Sequence, residues 1–340
     1  MNNHIISSGA PLLSALEALN GLSGQVMTLL AVDSDGRLEG TLTDGDVRRA
    51  LLRGVRLSDP VSAAMFRDFH AIGADADPRD IRASRRLGLG LLPIVDDRGR
   101  LVDMLDLSRQ TSRLPVRAVL MAGGRGERLR PLTDKTPKPL LPIGGSTVID
   151  LNVDALRRCG VGEIFVTVRY LAEQLEEHFA GTEVTCVRET EPLGTIGALF
   201  LLPPAPEGGT TLLMNSDLVT NIDFEEFFLH HRETGDAITV ATVSHVLSIP
   251  FSILQTEGNR VTAIEEKPTF TNYAGAGIYL IENSLLRDLP PVRDDAPDFV
   301  ARAIEAGVPV GHFPISGTWK DIGTPADYRQ ACELLDLARR

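Results

Sequence analysis

The hydrophobic pattern of the chain changes near residue 115. Beyond it, short apolar runs alternate with segments in which apolar residues recur at helical spacing. This alternation predicts a doubly wound α/β domain, in which ligands bind in the loops at the carboxyl ends of the strands. The predicted strands are Val116–Met121, Ile164–Val168, Val184–Arg188, Thr211–Asp217 and Ala237–Val243, and the predicted helices are Val148–Arg158, Ala172–Phe179, Phe224–His231 and Ala326–Ala338.

The first 113 residues contain an internal repeat. The segment Val32–Leu38 recurs as Val95–Leu101, and in both copies an apolar strand precedes an Asp/Gly turn that a second strand follows. A helix is predicted upstream of each copy, the second with Asp77 as its N-cap and Pro78 as its first residue. The first helix is indicated by four leucines on one face, namely Leu12, Leu13, Leu16 and Leu19.

Two such short units cannot each bury an apolar face alone, so we expect them to pack together in one α+β domain. The predicted domains are therefore residues 1–113 and 116–340, with a boundary at Leu114-Pro115.

Composition narrows the function classes. A hydrophobic fraction of 43% and a charged fraction of 24% are typical of a soluble globular protein. The net charge of −12 argues against nucleic acid or an anionic membrane as a partner. Three scattered cysteines suggest a reducing compartment, and no apolar run approaches the length of a membrane span. We therefore expect a cytoplasmic protein.

The candidate chemistry begins directly after the first strand of the second domain. The run Ala122-Gly123-Gly124-Arg125-Gly126 is too rich in glycine for a strand or a helix, and its backbone N–H groups can approach phosphate oxygens closely. Basic residues follow, and nearby prolines stiffen the segment. A P-loop is excluded because Gly-Lys-Ser/Thr is missing, and the dinucleotide fingerprint lacks its third glycine.

These residues resemble the signature of the sugar-1-phosphate nucleotidylyltransferases. The resemblance rests on the glycine loop with Arg128, Leu129 and Pro131, then on Pro137-Lys138-Pro139, and it continues to Trp319-Lys320-Asp321-Ile322-Gly323. It implies a Rossmann-like doubly wound mixed sheet and the transfer of a nucleoside monophosphate from a triphosphate to a sugar 1-phosphate.

The resemblance also implies roles for individual residues. It implies Arg128, Lys138 and Lys267 as catalytic residues, and Asp217 and Asp321 as ligands of Mg²⁺. The resemblance implies that the nucleotide is bound by Ala122, Gly123, Gly124, Arg125, Gly126, Glu189 and Gly194. It implies that the sugar phosphate is bound by Glu266, Lys267 and Gly275, although Gly275 replaces an asparagine often seen in relatives.

The base and the sugar are less determined. A carboxylate at Glu189 or Glu191 suits the N1–H and N2–H donors of guanine, although an ordinary solvated acidic loop would look the same. The sequence therefore favours GTP, while UTP, dTTP and CTP stay open. The arrangement of domains resembles guanylyltransferases that make GDP-activated amino sugars or heptoses for surface glycans.

The repeat in the first domain resembles a pair of CBS domains. By that resemblance Thr43 would contact the phosphate and Asp46 the ribose of a regulatory nucleotide, whereas the alternative is that Thr43 only caps a helix over Gly45–Arg53. A CBS pair further implies regulation or dimerisation, so a homo-oligomer is expected. Two other functions stay open, a metal-dependent glycosyltransferase and a non-catalytic nucleotide-sensing subunit.

Overall fold

The computed structural model describes residues 2–287 and 292–338, and the chain divides into two compact units. The first unit ends at Leu114 and also includes Arg158–Gly160, and the second contains Pro115–Arg157 and continues from Val161. The last two residues of the predicted second domain lie outside the described residues.

The first unit contains two three-stranded sheets of the same topology. In each sheet the first strand pairs in parallel with the second, and the second pairs antiparallel with the third. The strands are β1 (Ile5–Ser7), β2 (Thr28–Val32), β3 (Leu38–Thr43), β4 (Ile72–Gly73), β5 (Leu91–Val95) and β6 (Leu101–Asp106), and the helices are α1 (Leu12–Gly21), α2 (Asp44–Leu52) and α3 (Pro78–Arg85).

The two copies of the repeat form matching turns that pair with each other. Asp33 Oδ1 accepts from the N–H groups of residues 35 and 37, and Asp96 Oδ1 accepts from those of residues 98 and 100. Leu38 N donates to Gly99 O at 2.9 Å, and Leu101 N donates to Gly36 O at 2.9 Å. The copies therefore pack on one another, as the repeat predicts.

The helix predictions in this unit are correct with one exception. Asp77 caps α3 with Pro78 in its first turn, and Leu12 and Leu19 are buried in α1. Leu13 is 48% exposed, so its placement on the buried face was wrong. The buried face of α1 contains Leu12, Ala15 and Leu19. Leu13 comes directly after Leu12, so the helix turns its side chain away from that face.

The second unit is built on a seven-stranded mixed sheet in the order β11-β10-β7-β12-β17-β14-β18. Strands β7, β10, β11 and β12 are parallel, and β17 is antiparallel to both of its neighbours. The strands are β7 (Val116–Met121), β8 (Pro142–Ile143), β9 (Ser146–Thr147), β10 (Glu163–Val168), β11 (Val184–Arg188), β12 (Thr210–Asn215), β13 (Leu218–Thr220), β14 (Ile238–Ser248), β15 (Ile253–Glu257), β16 (Arg260–Glu265), β17 (Thr269–Glu282), β18 (Val310–Pro314) and β19 (Trp319–Asp321).

Helices cover the central strands β7 and β12, which are buried except at their last residues. They are α4 (Val148–Arg158), α5 (Ala172–His178), α6 (Gly194–Gly197), α7 (Phe224–Thr234), α8 (Asn283–Leu286), α9 (Ala296–Glu305) and α10 (Pro325–Ala338). The predicted doubly wound mixed fold is confirmed. The largest boundary errors are in α7, which runs on to Thr234, and in β14, which runs on to Ser248 because it pairs with β17.

Strands β14 and β17 extend beyond the sheet as a ribbon that carries the hairpin β15–β16. We call residues 244–273 the β-arm. Its strands bury little, because every residue of β16 is exposed and so is the first half of β17. Of the helices in the described parts of the chain, none combines the length and the apolarity that crossing a bilayer requires.

Candidate active site

The glycine-rich loop leaves the buried strand β7 at the carboxyl end of the sheet. Gly126 has φ of 59°, and a Cβ there would lie 3.2 Å from the Cβ of Lys138, so glycine allows both the turn and the close approach. The hydroxyl of Thr133 donates to Gly126 O at 2.8 Å and holds the turn. The loop is thereby folded against the segment that carries Lys138.

Two carboxylates that are 104 positions apart in the chain meet at this end of the sheet. Asp217 follows β12, and Asp321 ends β19, which pairs antiparallel with β13 so that Leu218 stands opposite Asp321. Ile322 N donates to Asp217 O at 3.1 Å and fixes the register. The pairing of two three-residue strands therefore brings these aspartates together.

The ammonium group of Lys138 lies between the two carboxylates. It donates to Asp217 Oδ2 and lies 3.5 Å from Asp321 Oδ1, and its side chain is only 11% exposed. The pKa of Asp321 is raised, first by burial and then by the charge of Asp217, although Lys138 and Arg128 oppose the shift. The site thus concentrates negative charge that one lysine does not fully offset.

The donor set fits a divalent cation. Asp217 Oδ1 is buried and has no hydrogen-bond partner among the described residues, which is costly for a charged oxygen. No group of three or more His, Cys, Asp or Glu side chains among those residues could hold a metal ion alone. Two carboxylates with an unsatisfied oxygen are what Mg²⁺ uses when substrate phosphates complete its coordination.

Two buried polar side chains hold the segment that carries Asp217. Ser216 Oγ donates to Met121 O at 2.6 Å, and Asn152 Nδ2 donates to Leu218 O at 3.0 Å and to Ser216 O at 3.4 Å. Sequence reasoning missed Asn152. The available signal was a polar residue within the apolar stripe of α4, between Val148 and Leu156.

A cavity of about 350 Å³ opens beside this pair of carboxylates. Arg128, Lys138 and Asp217 line it, and the glycine loop forms one wall. A Cβ on Gly323 would lie 3.4 Å from Arg128 Nη2 and 3.5 Å from Asp321 Oδ2, so both side chains approach Gly323, and the charge of Arg128 acts on Asp321. Cations and backbone N–H groups around a cavity of this size suit a chain of phosphates.

A second cavity of about 340 Å³ shares Met121, Gly124 and Asp217 with the first. Glu189 and Gly194 line it, whereas Glu191 is exposed and lies outside it. Of the two carboxylates that the sequence offered for a base, only Glu189 therefore faces a cavity.

Glu189 is 7% exposed and is already engaged with the protein. Its Oε2 accepts from Leu193 N at 3.3 Å, it hydrogen-bonds the side chain of Thr167, and burial raises its pKa. A Cβ on Gly123 would lie 2.6 Å from Glu189 Oε1, so a larger residue there would displace this carboxylate. Glu189 thus packs against the glycine loop while it holds the loop that begins at Leu193.

Some predicted residues lie away from these cavities. Arg125 is exposed and stacks on the ring of Tyr170 with 5.9 Å to its centroid. Glu266 and Lys267 are exposed on the β-arm, where Glu266 accepts from Ser252 Oγ, and Gly275 is exposed in β17. None of these four residues is among those that line either cavity in the described parts of the chain. Their roles stay predictions.

In the first unit, Thr43 and Asp46 form a capping box at the start of α2. Thr43 Oγ1 donates to Asp46 Oδ2 at 2.6 Å, and Asp46 N donates to Thr43 Oγ1 at 3.3 Å. Arg49 pairs with the other carboxylate oxygen of Asp46 at 2.6 Å. The capping role that the sequence left open is therefore present.

Comparisons with known proteins agree with this arrangement. Residues 117–336 match the nucleotidyl transferase family, and residues 2–53 match the CBS domain. "Probable mannose-1-phosphate guanylyltransferase 1" of Oryza sativa subsp. japonica is 33% identical over 241 residues, and mannose-1-phosphate guanylyltransferase 1 of Arabidopsis thaliana is 32% identical over 241. Each match covers 66% of this chain, and the chain spans 66% of the length of each relative.

A solved structure shares the fold. The crystal structure of HddC from Yersinia pseudotuberculosis superposes with a TM-score of 0.50 at 24% identity, covering 64% of this chain and 99% of that one.

Proposed function

The chain belongs to the nucleotidyl transferase family, and from this premise we propose that it makes a nucleotide sugar and pyrophosphate from a nucleoside triphosphate and a sugar 1-phosphate. The observation that carries the proposal is the pair of carboxylates at Asp217 and Asp321 beside a cavity lined with cations. GTP is the favoured triphosphate, and mannose 1-phosphate is the first sugar to test, since these are the substrates in the names of the relatives. UTP, dTTP and CTP are the alternatives. The product would serve surface glycan synthesis.

The reaction needs no general base from the protein. The attacking group is a phosphate oxygen, which is already anionic at pH 7. The difficulty is to bring two polyanions together, because two unit charges about 4 Å apart repel by about 4 kcal/mol at an effective dielectric constant of about 20. The work of the site is therefore electrostatic positioning rather than proton transfer.

Each basic residue has a place in this scheme. Lys138 lies near the α-phosphate, and Arg128 holds the β- and γ-phosphates and stabilises the departing pyrophosphate. Lys267 orients the attacking phosphate for in-line displacement, and Glu266 and Gly275 face the sugar. The support for Lys138 and Arg128 is their position in the first cavity. For the residues of the β-arm the support is the sequence resemblance.

Mg²⁺ held by Asp217 and Asp321 would neutralise phosphate charge and align the triphosphate. The support is the unpartnered Asp217 Oδ1 and the raised pKa of Asp321. The glycine loop binds phosphate oxygens through its backbone N–H groups, and Gly194 lets the base lie against the backbone of its loop.

The proposal is tested with the purified full chain. Pyrophosphate release is measured with GTP, UTP, dTTP and CTP, each with mannose, glucose and amino-sugar 1-phosphates, with and without Mg²⁺. We expect the fastest release with GTP, and none after EDTA treatment. If no pair reacts while adenine nucleotides bind tightly, the chain is a sensing subunit instead. Sugar transfer from a preformed nucleotide sugar would indicate a glycosyltransferase.

For the first unit we propose a regulatory nucleotide at Thr43 and Asp46. The support is the match to the CBS domain. In the structure the side chains of Thr43 and Asp46 hydrogen-bond within the capping box, so a nucleotide would have to replace these bonds. Calorimetric titration of the full chain with adenine and guanine nucleotides, compared with Thr43→Val, tests this. Identical heats of binding for the wild type and Thr43→Val would show that Thr43 and Asp46 only cap the helix.

We also propose that the chain forms a homo-oligomer through the β-arm. Eight large apolar side chains of the arm are exposed, namely Val246, Leu247, Phe251, Leu254, Val261, Ile264, Phe270 and Tyr273. Val246 and Leu247 are adjacent in one strand and so point to opposite faces, which means that neither face is covered. A two-stranded ribbon is at best marginally stable alone, so this surface calls for a partner.

Charge favours a second copy of the chain as that partner. The arm holds three acidic and two basic residues, a net charge of −1, in a chain whose net charge is −12. Charge repulsion therefore opposes self-association through this surface only weakly.

Charges introduced into the β-arm are expected to dissociate the oligomer. Leu254 and Ile264 face each other across the hairpin, so Leu254→Arg with Ile264→Arg puts two like charges into the proposed interface. Light scattering after size exclusion should give a dimer for the wild type and a monomer for the double variant. Leu52→Arg, at an 89% exposed position elsewhere, is the control and should stay dimeric. A wild-type monomer at micromolar concentration would rule the interface out.

A further inference from the structure

The second cavity contains an arginine that the proposed reaction does not yet use. Arg169 directly follows β10, is half-buried and lines this cavity together with Glu189. Among the described residues its guanidinium forms no ion pair within 4.0 Å and no side-chain hydrogen bond, although its charge opposes the rise in the pKa of Glu189. A guanidinium carries five N–H donors in a planar fork, so one that is half-buried and has no hydrogen-bond partner there is available to a ligand.

Glu189 leaves acceptor capacity beside these donors. Its carboxylate takes one hydrogen bond from Leu193 N and one from Thr167, and a carboxylate has about four acceptor positions. Both side chains are anchored at the same wall, because the Cβ of Arg169 and Oε1 of Glu189 lie 3.5 and 2.6 Å from where a Cβ on Gly123 would stand. The same cavity is therefore lined by one residue that can donate and one that can accept hydrogen bonds.

This pair matches the edge of one purine. Guanine presents the acceptor O6 next to the donors N1–H and N2–H, whereas adenine presents the amino donor N6–H₂ where guanine has O6. Arginine cannot accept a hydrogen bond, so the N6–H₂ donor of an adenine in this position would meet the N–H donors of Arg169 without an acceptor.

We propose that Arg169 is a specificity-determining residue that donates to O6 of guanine, while Glu189 accepts from N1–H and N2–H. The inference rests on the proposed function and deepens it, because it names the group that selects the base. An unpaired buried donor on the protein is what makes discrimination large when the ligand lacks the matching acceptor.

A second arginine at the same cavity provides an internal comparison. Arg293 also lines the second cavity, but it is exposed and lies 4.0 Å from Asp295. Solvent competes for its donors, so its contribution to base selection is expected to be small.

The test compares kcat/KM for GTP, 6-thio-GTP and ATP in the full chain and in Arg169→Met and Arg293→Met. Sulfur at position 6 is a weaker acceptor, so 6-thio-GTP weakens the contact to Arg169 and keeps the N1–H and N2–H donors. The wild type should prefer GTP to both analogues. Arg169→Met should reduce the GTP-to-ATP preference by about 10- to 100-fold, the range of one good base contact. Arg293→Met should change it less than about threefold.

The outcomes separate the two levels of the argument. Turnover of GTP with an unchanged base preference in Arg169→Met, or an equal loss in Arg293→Met, would overturn the inference and leave the proposed function standing. An absence of turnover with any triphosphate in the wild type would overturn both. If Arg169→Met turns over too slowly, the dissociation constants for GTP and 6-thio-GTP are measured by calorimetry instead. A ratio of the two dissociation constants equal to that of the wild type refutes the inference.

Discussion

Asp217→Asn is expected to lower kcat at least ~100-fold with the preferred substrate pair, because a preorganised charge at the reacting phosphates is lost. The amide has nearly the shape of the carboxylate, so the segment held by Ser216 and Asn152 should keep its place. The neutral side chain, however, removes half of the anionic charge proposed to hold Mg²⁺. Binding of Mn²⁺ as a spectroscopic probe should weaken in parallel with turnover.

The matched control for this variant is Asp223→Asn. Asp223 caps α7, accepting from Glu226 N at 2.9 Å, and lies six positions beyond Asp217. Asparagine is as good an N-cap as aspartate, so this variant should leave folding stability nearly unchanged and kcat within about twofold. Near-wild-type turnover in Asp217→Asn, with metal binding intact, would refute the assignment of this carboxylate.

The second large effect is expected for Lys138→Met, which should also lower kcat at least ~100-fold. The methionine keeps much of the length of the side chain but removes the ammonium group that stands between Asp217 and Asp321. Two carboxylates then face each other with no cation of the protein between them, so the melting temperature in EDTA should fall as well. Added Mg²⁺ should restore much of that stability, since the divalent ion binds the same carboxylates, but it should not restore turnover.

Lys320→Met is the control for Lys138→Met. Lys320 neighbours Asp321 in β19, but its Nζ donates to Gln330 Oε1 at 2.9 Å, at an exposed position. This variant should lose less than about threefold in kcat, because an exposed polar contact contributes little. Equal losses in both lysine variants would show that general positive charge, and not the position of Lys138, supports the reaction.

The elements of both units were largely predictable because their signals are local. An apolar run that ends at glycines produced the boundaries of β7, and a helical stripe produced those of α4. Residues that cap or terminate elements were readable for the same reason, as with Asp77 and Pro78. Errors arose where pairing with another element sets the boundary. For example, β14 extends to Ser248 because it pairs with β17.

The site was predicted in part. The resemblance placed Arg128, Lys138 and Asp217 together, and the structure has all three around one cavity. It did not indicate Asn152, which holds the backbone on either side of Asp217 through two hydrogen bonds, to Ser216 O and Leu218 O. It also gave no role to Arg169, because the direction of one side chain after a strand has no signature in the sequence.

The sequence by itself did not predict β17, β18 or α9, but it determined five strands and four helices of the second unit, the glycine loop, the identity of the charged residues and the repeat in the first unit. These depend on spacing and on backbone preferences that act over a few residues. The resemblance named Asp217 and Asp321 as a pair, but only the tertiary structure shows what joins them, because the antiparallel pairing of β13 with β19 brings together two aspartates separated by 104 positions. Only it decided that Glu189, rather than Glu191, faces a cavity with Arg169 beside it. The physical reason is that burial and pairing are properties of contacts between distant segments.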